Sequence, residues 1–175
     1  RAHIARVLGR RARAPRRVQQ QLPAADAQRG SVAPRYGAGF DVATAVLGQD
    51  VIPDGPSIGI RGRVAIPVNA DLSVAGSLGL GAHLFGGSDD TRYVLNPQVS
   101  VIVMLPSDGS ARYVLGGFGG FLPFSGGGGG PSLHLGYGIA IPLTDTSLYA
   151  EVDPSLVIGD TEVVPVLAVR TGVIF

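Results

Sequence analysis

The chain has 175 residues, enough for one domain, with 27 glycines, 15% charged residues, no cysteine and no tryptophan. Without cysteine there is no disulfide, no thiolate metal site and no cysteine nucleophile. A net charge of +1 hides a split: residues 1–35 hold nine arginines and one acid, residues 36–175 five arginines and twelve acids. The acidic body therefore lacks the basic face that a nucleic-acid partner requires.

Residues 1–35 are expected to be a basic, disordered tail. Arg10–Arg17 is arginine-rich without an apolar period, and Pro15 breaks any helix there. Ala25-Asp26-Ala27 has the small-x-small form of a signal-peptide cleavage site, which places a mature start near Gln28. Arginines and Gln19–Gln21 occupy the place of the apolar core of about 7–15 residues that such a signal carries.

From Tyr36 onward the sequence alternates apolar and small or polar residues between turn signals, which predicts eight strands. The first spans 36–47, with Tyr36, Ala38, Phe40, Val42, Thr44 and Val46 on one face. The second, 57–68, carries Ile58, Ile60, Gly62, Val64, Ile66 and Val68. The third, 71–85, carries Leu72, Val74, Gly76, Leu78, Leu80, Ala82 and Leu84. The fourth, 91–105, carries Tyr93, Leu95, Pro97, Val99, Val101, Val103 and Leu105. The fifth, 111–124, has no clear parity, because Gly116-Gly117-Phe118-Gly119-Gly120 invites a bulge. The sixth, 132–143, carries Leu133, Leu135, Tyr137, Ile139, Ile141 and Leu143. The seventh, 147–157, begins Leu148, Ala150, Val152, and the eighth is 162–175. Pro67 and Pro142 fall near strand ends, where a missing donor costs little. Pro97 and Pro165 argue against this register.

The turns alternate in kind. Asn69–Asp71, Ser107–Ser110 and Thr144–Thr146 are tight Asx and Gly turns, expected at one end of the sheet. The longer connections 48–56, 86–90 and 125–131, together with 159–161, are expected at the other.

Leaving the fifth strand aside, the apolar faces carry no charge. The opposite faces hold Asp41, Arg61, Arg63, His83, Arg92, Asn96, Gln98, His134, Glu151, Asp153 and Arg170 among many small residues. Such a face is too sparse to solvate a protein, yet it suits the filled interior of a barrel of about eight strands. Arg61, Arg63, Arg92, Glu151, Asp153 and Arg170 are therefore expected to form a lumen polar network, in which buried charge must be paired. No stretch of about 18 apolar residues exists to form a transmembrane helix, but a barrel strand needs only about 9–11 residues.

The chain closes on Val166–Phe175, in which Leu167, Val169, Thr171, Val173 and Phe175 share one uncharged side. This ending resembles the C-terminal assembly signal of bacterial outer-membrane barrels. Residues 36–175 as a whole resemble the small eight-stranded outer-membrane β-barrels, the group that includes the OmpA membrane domain, OmpX and OmpW-like proteins. The resemblance implies an all-β, antiparallel, up-and-down eight-stranded transmembrane barrel in the bacterial outer membrane. It further implies outer-membrane lipid and the barrel-assembly machinery as partners, a non-enzymatic structural or narrow-pore role, and no cofactor. Tyr36, Tyr93 and Phe175 would then join the interfacial girdles.

Two alternatives follow from the same residues. A soluble lipocalin-like barrel would turn the apolar faces inward around an apolar ligand. A barrel lipid hydrolase would use Ser132, His134 and Glu151, a hydroxyl, an imidazole and a carboxylate on neighbouring inner faces, although histidine before serine and a following asparagine, the pattern of the lipid A deacylase barrels, is absent. No spacing around His83 and His134 supports a metal site, and Gly126–Gly130 lacks the Lys-Ser/Thr of a phosphate loop.

Overall fold

The computed structural model describes residues 33–46, 56–83, 92–107, 109–124 and 128–175. The chain divides into Arg1–Gly30 and Ser31–Phe175. The expected tail and signal-like region, up to residue 32, lie outside the described residues, as do most of the longer loops.

Eight antiparallel strands form a closed barrel in sequence order: β1 Arg35–Ala45, β2 Ser57–Pro67, β3 Leu72–His83, β4 Arg92–Leu105, β5 Ala111–Pro123, β6 Gly130–Pro142, β7 Ser147–Ile158 and β8 Val163–Ile174. The closing pair is β1 with β8, in register from Gly37 opposite Ile174 to Ala45 opposite Val166. Its lower end is fastened by two hydrogen bonds, Tyr36 N to Phe175 O (3.0 Å) and Phe175 N to Tyr36 O (2.9 Å).

The apolar faces point outward. Phe40, Ile60, Leu78, Val99, Leu133, Val152 and Val169 are all exposed, while Arg61, Arg63, Glu151, Asp153 and Arg170 are buried inside. The lipocalin-like alternative needs the reverse orientation and is corrected by this arrangement.

β5 resolves its own parity. Tyr113, Leu115 and Phe121 are buried in the lumen, and Phe118 and Leu122 face out. The offset between β4 and β5 is the same from Val94 opposite Pro123 to Leu105 opposite Arg112, so the glycine run introduces no bulge. Its glycines instead let the wall pass close to its neighbours: a Cβ on Gly117 would collide with the Val99 carbonyl.

The prolines fit for separate reasons. Phe124 N donates to Tyr93 O (2.9 Å), so, counting in twos along the ladder, Pro97 and Gly120 form a hydrogen-bonded pair in which Pro97 has no donor. The side chain of Asn96 supplies it, Nδ2 donating to Gly120 O at 2.7 Å. Pro165 accepts from Val46 N (2.8 Å) at the rim, one residue beyond the end of β1, so its missing donor falls outside the ladder. Pro154, on β7, interrupts pairing with β6 opposite Leu135 without shifting the register.

The tight turns lie at one end. Asn69 Oδ1 accepts from Asp71 N (2.9 Å) and Leu72 N (2.8 Å), Gly109 takes the left-handed conformation (φ 89°), and Leu143 N donates to Thr146 O (2.8 Å). At the opposite end Gly159 N donates to Glu162 O (2.9 Å) across the short β7–β8 connection.

The Asn96 device is testable. Asn96→Ala leaves the Gly120 carbonyl unpaired and should cost about 1–3 kcal/mol. Adding Pro97→Val restores a backbone donor and should recover part of that loss. The midpoint of urea unfolding, followed by the band shift between folded and unfolded forms on gels, measures both.

Candidate functional site

The lumen is layered. Toward the tight turns an apolar cluster is formed by Ala75, Ile102, Tyr113, Leu115, Ala140 and Tyr149. Toward the longer loops a second one consists of Val94, Phe121, Val157, Val164 and Val166, with Ala43 and Ala45 against it. Between them lies a belt of charge, because the alternation of each strand brings its inward polar residue to mid-height.

The belt contains three arginines and three carboxylates. Arg63 on β2 forks onto Glu151 on β7, Nη2 to Oε2 at 2.7 Å and Nη1 to Oε1. Tyr113 Oη on β5 donates to the same Oε1 (2.8 Å), and the Arg63 guanidinium stands 5.4 Å from the centroid of the Tyr149 ring. Arg170 on β8 pairs with Asp153 Oδ2 on β7 (2.5 Å) and lies 3.8 Å from Glu151 Oε2. Arg61 on β2 holds Asp41 Oδ2 on β1 through Nε (3.1 Å) and Nη2 (3.0 Å). Its remaining contacts run to Ser77 Oγ (3.0 Å), Gln98 Oε1 (3.1 Å) and Asn96 Oδ1 (2.5 Å). The bidentate fork of Arg63 on Glu151 is among the stronger polar contacts available to a protein. Room is made by missing side chains: a Cβ on Gly79 would lie 2.6 Å from Arg61 Nη2, and one on Gly138 would run into the Tyr113 ring.

The structure thus brings together five of the six arginines and acids singled out from the sequence, in two groups. Arg61 belongs with Asp41, while Arg63, Glu151, Asp153 and Arg170 form the other group. Arg92 stands apart from both groups: it sits at the loop end of β4 opposite His83 and makes no ion pair among the described residues. Tyr113 escaped the sequence because its strand had no readable parity. Asp41, Asn96 and Gln98 were legible as inward residues, but not as ligands of Arg61.

His134 lies at the centre of a further chain. Its Nδ1 meets Asp153 Oδ1 at 3.0 Å and its Nε2 meets Ser100 Oγ at 3.2 Å. The expected Ser132, His134 and Glu151 set is not assembled: Ser132 Oγ has no hydrogen-bond partner among the described residues, and Glu151 is taken by Arg63 and Tyr113. Ser100, His134 and Asp153 do stand in the order hydroxyl, imidazole, carboxylate that serine hydrolases use. The resemblance ends there. Ser100 and His134 are each only 5% exposed and Asp153 is 0%, so no substrate carbonyl reaches the hydroxyl. Ser100 also sits in a paired strand, whose amides serve the ladder and not an oxyanion. The chain is a cross-link joining β4, β6 and β7 through one imidazole. No group of three His, Asp or Glu able to hold a metal occurs among the described residues.

On the outer side, Leu167, Val169, Thr171 and Phe175 are exposed and Val173 is half-buried between Ala38 and Leu148.

No protein-family model matches the sequence and no curated protein is detectably similar to it. Among solved structures, Neisserial surface protein A (NspA) is similar with a TM-score of 0.62 at 16% identity, over 81% of this chain and 94% of that one. Ail, the attachment invasion locus protein of Yersinia pestis, gives 0.53 at 16% identity, over 81% and 97%. The N-terminal β-barrel domain of Pseudomonas aeruginosa OprF gives 0.52 at 14% identity, over 81% and 97%. The fold is that of the small eight-stranded outer-membrane barrels.

Arg63→Met should destabilise the barrel by about 3–5 kcal/mol, because it strands the Glu151 charge in the interior. Arg63→Met with Glu151→Met removes both charges and should restore most of that loss. Urea midpoints of the single and double variants check the pair.

Proposed function

We propose that this chain is a non-enzymatic integral protein of a bacterial outer membrane, a lipid-embedded barrel that is closed to solutes. The observation that carries the reading is the sorting of faces. Every strand turns apolar side chains outward, while the charges pair inside at exposures of 8% or less for Arg61, Arg63, Arg170, Glu151 and Asp153. Water-exposed sheets sort the other way. Strands of 11–14 residues match a tilted span of the hydrocarbon layer. Exposed aromatic pairs mark both ends of that band: Tyr36 with Phe175 toward the tight turns, Tyr93 with Phe124 toward the loops. Closure of β1 on β8 leaves no free edge, as a sheet in lipid requires.

The tight-turn end faces the periplasm in this reading and the longer connections face outward. The uncharged series Leu167, Val169, Thr171, Val173 and Phe175 is read by the barrel-assembly machinery during insertion, and lipid is the standing partner, with no role for nucleic acid. A narrow-pore role is disfavoured by the two apolar clusters and the buried, ion-paired belt between them.

The full chain refolded in detergent should migrate faster unboiled than boiled, as closed barrels do, and should insert into phospholipid vesicles. In planar bilayers it should produce no discrete conductance steps. A protein that stays monomeric in buffer without detergent sinks the membrane reading. Stepwise currents, with insertion intact, overturn only the closed lumen.

A further inference from the structure

The outward strand positions carry one exception to their uncharged character. Among the described residues, Arg112 on β5 is the one charged side chain on that face. Arg35, Arg61, Arg63, Arg92 and Arg170 all fall on the inward parity of their strands. Arg112 is exposed, and its guanidinium takes part in none of the ion pairs among the described residues. Its surroundings are apolar: Leu105 stands opposite on β4, Ile139 opposite on β6, and Val114 is the next outward residue of its own strand. All three are half-buried, whereas Val99 and Val101 on β4 and Leu133 and Leu135 on β6 are exposed. An outward arginine costs little only near the end of an apolar band, where its aliphatic stem lies on the wall and its head reaches the interface. Arg112 is the second residue of β5, directly after the tight turn Ser107–Ser110, as Tyr36 is the second residue of β1 at the same end.

We infer that Arg112 binds the phosphate of a glycerophospholipid in the leaflet at the tight-turn end. The inference rests on the membrane placement proposed above and deepens it, naming one lipid group and the residue that holds it. Charge decides the occupant. A guanidinium at the rim of an apolar layer is stabilised by an anion at the same depth, and its planar fork of N–H donors matches phosphate oxygens. A second copy of the barrel set wall to wall supplies no such anion, because no outward strand position carries a carboxylate. A lipid phosphate lies at that depth by the construction of the bilayer, with its acyl chains free to rest on Leu105, Val114 and Ile139.

The test sets the full chain beside Arg112→Gln and Arg112→Lys. Each is refolded into vesicles of phosphatidylethanolamine and phosphatidylglycerol, and separately into vesicles of digalactosyldiacylglycerol, a two-chain lipid without phosphate. Urea unfolding is followed by the heat-dependent gel shift. The arginines before Arg35 are common to all three proteins and cancel in the comparison. In phospholipid, Arg112→Gln should lower the folded-to-unfolded ratio by about tenfold, or about 1.4 kcal/mol, and Arg112→Lys should retain most of it. In galactolipid the three proteins should agree within about twofold, as exposed substitutions without a partner do. An equal loss in both lipids overturns the inference in favour of a partner within the protein, and no loss in either overturns it outright. If inorganic phosphate added to the galactolipid vesicles separates the parent from Arg112→Gln, the residue takes a free ion and the lipid contact is overturned. A parent chain that stays monomeric in buffer without detergent removes the membrane placement itself, and the phosphate contact with it.

Discussion

Everything in this barrel depends on the closing of the ladder between β1 and β8. A sheet whose outer face is apolar cannot leave an edge of unpaired amides and carbonyls, because nothing around it would replace those hydrogen bonds. In a closed barrel the number of strands sets the width of the interior. That width decides the rest: side chains fill the lumen and bury Arg61, Arg63, Arg170, Glu151 and Asp153, yet arginine and carboxylate meet across it. The Asn96 side chain serving the Gly120 carbonyl shows how strictly the constraint applies even to one missing donor.

The belt turns a hazard into a fastening. Three guanidinium groups and three carboxylates balance within one layer. Arg63 and Glu151 tie together β2 and β7, which are not neighbours in the sheet, and Arg170 adds a second fastening to the adjacent pair β7 and β8. His134 adds a further link, its two ring nitrogens meeting Ser100 Oγ and Asp153 Oδ1. The resulting interior is filled by paired charges at mid-height and by apolar clusters above and below. A catalytic residue needs the contrary arrangement, a reactive atom with space in front of it.

Much of this was legible in the sequence. Period-two alternation gave the outward face of seven strands, and the Asx and Gly turns located three of their connections. Alternation failed in β5, where Gly116, Gly117, Gly119 and Gly120 occupy both parities and leave no pattern to read. That one gap hid Tyr113, and with it a hydrogen-bond donor to Glu151. The pairing inside the lumen was illegible for another reason. Which arginine meets which carboxylate depends on the stagger between distant strands, and stagger is a property of the closed barrel, not of any strand. Arg92 and Arg61 look alike on their strands. One ends at the rim and the other is wrapped by Asp41, Ser77, Asn96 and Gln98.

The span between partners in the belt has a kinetic side. Arg63 and Glu151 are 88 residues apart, and Asp153 and Arg170 lie on the last two strands. Strand β2 therefore carries one guanidinium group, that of Arg63, whose counter-charge resides in the carboxy-terminal half of the chain. A half-built sheet would hold that charge without its partner, at a cost that only the later strands remove. Closure is thereby coupled to completion: the interior penalises every partial barrel and rewards the whole one.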